Sequence, residues 1–166
     1  MGSLHYPFSI YSLSRMLTLQ KQEKFFWCWA TLTKALLEHF NYPKKLSQAD
    51  IVRAFKGEIV DEPALMHEVM ESYGMLKEGI PYPVDFEKLQ KGLEGGPVIL
   101  VIQQYGMHRA HLIALTDIKP HRVLELHDPQ EAEVHLIDFE TFTKGYKKSG
   151  TWANTIFSQR PDVSGF

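Results

Sequence analysis

The chain contains a single thiol, Cys28, and its position is chemically informative. It stands where a loop enters an apolar helical pattern. A helix N-terminus carries roughly half a positive charge and free amide donors, and both favour a thiolate. The thiolate is the nucleophilic form of cysteine. Acyl transfer to sulfur also needs donors for the developing oxyanion, commonly the nucleophile's own backbone amide and one side-chain amide. Gln22, six residues upstream, is a candidate for the second donor. Trp29 and Ala30 follow Cys28 directly. The plainer alternative is that Cys28 is a small buried hydrophobe and Gln22 a solvent residue.

The set Gln22, Cys28, Trp29 and Ala30 resembles the nucleophile segment of papain-like cysteine proteases. In place of the small residues and second cysteine of the cathepsin signature stand Phe25, Phe26 and Trp27. The resemblance implies a distant histidine as base. His111 opens the apolar run Leu112-Ile113-Ala114-Leu115 and fits that role. Seventeen residues later a strand-like run ends in Asp128-Pro129. Papain has an asparagine at the orienting position; compact bacterial relatives often end this strand in Asp-Pro, as here. The whole pattern is similar to those compact forms, which include bacteriocin leader-processing peptidases and the avirulence-type proteases that plant pathogens inject into host cells. It extends from about residue 20 to 157. The gap of 83 residues between Cys28 and His111 suits a minimal domain.

The resemblance implies a Cys28/His111/Asp128 triad, with Gln22 and the Cys28 amide at the oxyanion. It implies a peptide or protein substrate and no metal or organic cofactor. Two other uses of the same residues stay open. A thioester formed on a glutamine side chain would make the protein a transglutaminase or deamidase. A catalytically weak relative would only bind peptides in the cleft.

Other histidines compete. His108 lies three residues before His111 and so faces the opposite way on a strand; it sits in a turn-like segment. His127 must face away from Asp128 for the same reason. His121, His127 and His135 match no zinc spacing and read as surface residues. Trp27 and Trp29 read as core or cleft wall, and Met66 with Met70 as packing.

Elements must position these groups. Apolar spacing predicts a helix over 27–40. Ser47 with Asp50 forms a capping-box pattern, predicting a helix over 48–55 that stops near Gly57. A third helix is expected from Pro63 to Gly74 and a short fourth over 86–93. Strands are expected at 97–102, 110–118, 122–126, 134–137 and 152–157. Helices precede strands, so the expected class is α+β, with N-terminal helices packed on a C-terminal antiparallel sheet. Residues 1–19 read as an extended arm, with a possible tag scar at 1–3, and 20–166 as one catalytic domain.

Composition narrows the function classes. The 166 residues are 44% hydrophobic and 23% charged, as in soluble globular domains. Eighteen basic against 20 acidic residues leave a net charge of −2, without the footprint of a nucleic-acid binder. The longest aliphatic run, 98–102, is far short of the roughly 20 residues of a membrane helix. One cysteine excludes an internal disulfide. The N-terminus lacks a Sec-type signal pattern, so the expected location is cytoplasmic, or export by another route.

Overall fold

The computed structural model describes residues 17–148 and 150–166. The expected arm falls mostly outside the described residues. Among the described residues, five helices and six strands run in the order α1 (Cys28–His39), α2 (Gln48–Lys56), α3 (Met66–Ser72), β1 (Leu76–Ile80), α4 (Phe86–Gly92), β2 (Val98–Gln104), β3 (Ala110–Lys119), β4 (Val123–Asp128), β5 (Glu133–Asp138), α5 (Phe139–Lys144) and β6 (Gly150–Ser158). A 3-10 turn, Pro120–Arg122, joins β3 to β4. All neighbouring strands are antiparallel, in the order β1-β6-β2-β3-β4-β5. The expected α+β architecture, helices against an antiparallel sheet, is what forms.

α1 is central. Trp29, Leu32, Leu36 and Leu37 pack on the α2 and α3 residues Ile51, Val52, Val69 and Met70 and on the sheet residues Ile99, Leu112, Ala114 and Ile156. The opposite sheet face carries a second core of Leu100, Ile113, Leu126, Phe142, Trp152 and Phe157, covered by α4 and α5. Alternate residues of β2 and β3 thus serve different cores, as the two-residue period of a strand requires.

Local signals act as expected at α2. The Ser47 side chain accepts from the Asp50 amide, and Asp50 accepts from the Ser47 amide. Gly57 ends the helix at φ 86°, a left-handed conformation that favours glycine. α3 is shorter than the pattern predicts. Residues 63–65 stay outside the helix, and Leu65 is exposed rather than part of the apolar stripe. Met66, Val69 and Met70 supply that stripe.

Candidate active site

Cys28 is the first residue of α1 and is half-buried. At this position its backbone N–H has no intrahelical partner. The residues flanking it are tied to one segment, residues 60–62. The Trp27 indole donates to the Val60 carbonyl (2.8 Å) and the Trp29 indole to the Glu62 carbonyl (2.9 Å). The Phe26 amide donates to Asp61 Oδ1 (2.8 Å). Both tryptophans are buried, and their N–H groups therefore need such partners.

His111 lies near the start of β3 and Asp128 ends β4. Ala114 pairs with His127 across these strands, which brings His111 and Asp128 to the same end of the sheet. His111 Nε2 is 2.7 Å from Asp128 Oδ1. The Asp128 side chain is only 1% exposed, so its charge must be paired. It is. Oδ1 also accepts from the Gln130 amide (2.9 Å), and Oδ2 accepts from the Tyr146 hydroxyl (2.7 Å) and Lys147 Nζ (3.1 Å).

These contacts fix protonation states. Burial opposes charge on His111. Hydrogen bonds with Asp128 and Cys28, and the charges of both, outweigh burial and raise the imidazole from 6.5 to about 9. Burial likewise opposes charge on Asp128, but His111, Tyr146 and the Gln130 amide hold its carboxyl well below the usual range. Burial, reinforced by the adjacent Asp128 charge, keeps Tyr146 protonated and hence a donor.

Cys28, Gln22 and His111 line one open cleft of about 1170 Å³. One wall comes from the segment between α2 and α4, including Ala64, Leu65, Met66 and Ile80. The Gln22 amide nitrogen donates to the carbonyls of Lys24 (3.1 Å) and Phe25 (2.7 Å), while its Oε1 is buried without a partner among the described residues. A role at an oxyanion thus requires one of these hydrogens to turn toward substrate. The Gln22 backbone amide donates to the Pro129 carbonyl (2.8 Å), joining this loop to the Asp128 segment.

Sequence reading missed Gln48, Tyr146 and Lys147. Gln48 is 1% exposed. Its Oε1 accepts from the Glu23 amide (3.0 Å) and the Thr31 hydroxyl (2.9 Å), and its Nε2 donates to the Lys21 carbonyl (3.0 Å). One side chain therefore clamps both flanks of Gln22 to α1. Its only sequence signal was a polar residue inside a short amphipathic helix.

Of the competing histidines, His108 shares the cleft with His111, and His121, His127 and His135 lie outside its lining. His108 is exposed on the β2–β3 hairpin, where it lines the cleft. His127 is not a surface residue: it is buried, with Nε2 3.3 Å from Glu125 Oε1. His121 is exposed at φ 65°. Glu131, Glu133 and His135 bring possible ligand atoms within 4.8 Å of one another. This group is surface-lying, and Glu131 already pairs with Lys147 and His135.

A buried helix beginning at a thiol, set against an antiparallel sheet that carries a histidine at the same cleft, defines a papain-like cysteine protease. The chain belongs to the family described as papain-like cysteine protease AvrRpt2, whose model matches residues 11–147. Among solved structures it is similar to the peptidase domain of Streptococcus ComA, a bi-functional ABC transporter involved in a quorum-sensing pathway. That likeness has a TM-score of 0.65 at 16% identity, covering 89% of this chain and 100% of that one, and it concerns the fold. No curated protein matches the chain.

Proposed function

We propose that this protease hydrolyses peptide bonds in peptide or protein substrates with Cys28 as nucleophile, His111 as acid and base, and Asp128 as the group that orients His111. The contact that carries this reading is His111 Nε2 on Asp128 Oδ1 at 2.7 Å. With Nε2 so engaged, Nδ1 is the nitrogen left for Cys28.

The chemistry follows from this arrangement. Cys28 Sγ attacks the carbonyl carbon; the sulfur–carbon bond forms and the carbonyl π pair moves onto oxygen. The Cys28 backbone N–H and the Gln22 amide stabilise that oxyanion. The carbon–nitrogen bond then breaks, and His111 gives its proton to the leaving amine. A thioester remains. Water attacks it while His111 takes a water proton; the acid product leaves and the thiolate–imidazolium pair returns. Asp128 holds the ring's orientation and steadies its charge throughout.

The test is cleavage of a peptide library followed by mass spectrometry, with Cys28→Ala and His111→Ala alongside. Chain cleavage abolished by both variants is the expected result. Ammonia release with intact chains would show glutamine side-chain chemistry instead. Peptide binding without turnover in the native chain would show a binding module.

No helix among the described residues is long and apolar enough to cross a membrane.

A further inference from the structure

Arg109 stands two residues before His111, about 7 Å away along an extended chain. It lines the same cleft as Cys28. Its guanidinium lies over the Phe25 ring at 4.2 Å and the Phe26 ring at 5.2 Å. The group thus reaches from the β2–β3 hairpin to the loop that carries the nucleophile. Its Nε donates to Gln104 Oε1 at 3.2 Å.

Stacking engages the flat faces of a guanidinium, whereas its hydrogen bonds leave from the edge. Here Nε is satisfied, and both rings, 5.0 Å apart, lie to one side of the guanidinium. The terminal nitrogens face no carboxylate among the described residues. The hairpin does not need them for its own shape, since Gln103 Nε2 braces it through the carbonyls of Met107 (2.8 Å) and Arg109 (3.3 Å). What remains is an oriented fork in a cleft, the geometry that binds a carboxylate through two parallel bonds.

The surrounding charge has the same sense. Lys21 and Lys24 also line the cleft, whose lining carboxylates are Glu23 and Glu68. Neither lysine makes an ion pair among the described residues. A local excess of positive charge on a chain of net charge −2 favours an acidic ligand.

We propose that Arg109 determines specificity by binding the side-chain carboxylate of an Asp or Glu within two or three residues of the scissile bond. This rests on the peptidase reading above.

The experiment measures kcat/KM for peptides blocked at both ends, so that no terminal carboxylate competes. Asp or Glu is compared with Asn or Gln at each position around the cleaved bond. At one position the native protein should prefer the acid by roughly tenfold or more, the scale of a hydrogen bond to a charged group. Raising the salt concentration should shrink that ratio. Arg109→Leu should bring the ratio close to one while neutral peptides are still cleaved, and Arg109→Glu should shift preference toward Lys. Thiol-reactive peptide probes carrying Asp or Asn at that position should give the same ratio as a labelling rate at Cys28. That readout is independent of turnover, so loss of hydrolysis alone cannot imitate failure of the specificity claim. Equal use of acid and amide by the native protein would overturn the proposal. So would an Arg109→Leu defect of the same size on every peptide, which would mark the residue as a structural strap.

Discussion

His111 Nε2 and Asp128 Oδ1 stand 2.7 Å apart, and the same Asp128 carboxylate takes three further donors, from Gln130, Tyr146 and Lys147. A buried carboxylate held at both oxygens cannot swing away, so it fixes the ring it touches. Asp128→Asn keeps the shape but removes the charge. It should lower kcat/KM by roughly a hundredfold, well short of the loss from Cys28→Ala. Steady-state kinetics on one cleaved peptide check this; an equal loss in both variants would contradict an orienting role.

The proton on His111 sets a pH window. Its folded-state pKa of about 9 exceeds the ordinary 6.5. A raised pKa means that this contribution to stability is fully present below 6.5 and is lost as pH rises through about 9. The melting temperature should fall across that interval, and His111→Gln should flatten that part of the profile. Asp128 has the opposite sign: its contribution is present at neutral pH and disappears as acid protonates the carboxyl. Calorimetry from pH 6 to 10 reads the first effect.

Gln22 should act on the chemical step. Gln22→Ala should reduce kcat by about a hundredfold with little change in KM, the signature of an interaction made in the transition state. A rise in KM at constant kcat would assign Gln22 to ordinary substrate binding instead.

Gln48 should act through the Gln22 loop. Gln48→Leu leaves the Glu23 amide and the Lys21 carbonyl without their buried partner, while the Thr31 hydroxyl keeps the Trp27 carbonyl (2.8 Å). The cost should be about 1–3 kcal/mol, visible as a melting shift of several degrees. Gln48→Glu, which keeps the acceptor but loses the donor, should recover part of kcat. A Gln48→Leu protein with native kcat would show that the clamp does not position Gln22.

The elements that were readable from the chain are those with strong local signals. The apolar period of α1, the Ser47/Asp50 box and the β-branched runs of β2 and β3 each point to one structure. β1 was not readable, because Lys77, Glu78 and Gly79 on an exposed edge strand break any apolar alternation. Six-residue α5 was not readable either: its cap, Asp138 accepting from the Thr141 amide, follows directly on β5. Cys28, His111 and Asp128 were legible because each sits at an element end beside a distinctive neighbour. Tyr146, Lys147 and Gln48 were not. They reach the site across 17 to 19 residues or from another helix, and only the packing of the folded chain brings them there.

The most direct test of the central claim is the rate of Cys28 alkylation by iodoacetamide from pH 5 to 10, followed by mass spectrometry, in the native protein and in His111→Ala. A Cys28–His111 ion pair predicts fast alkylation already at pH 6 in the native protein, with that low-pH reactivity lost when His111 is removed. Slow alkylation at pH 6, or a pH profile unchanged by His111→Ala, would contradict it.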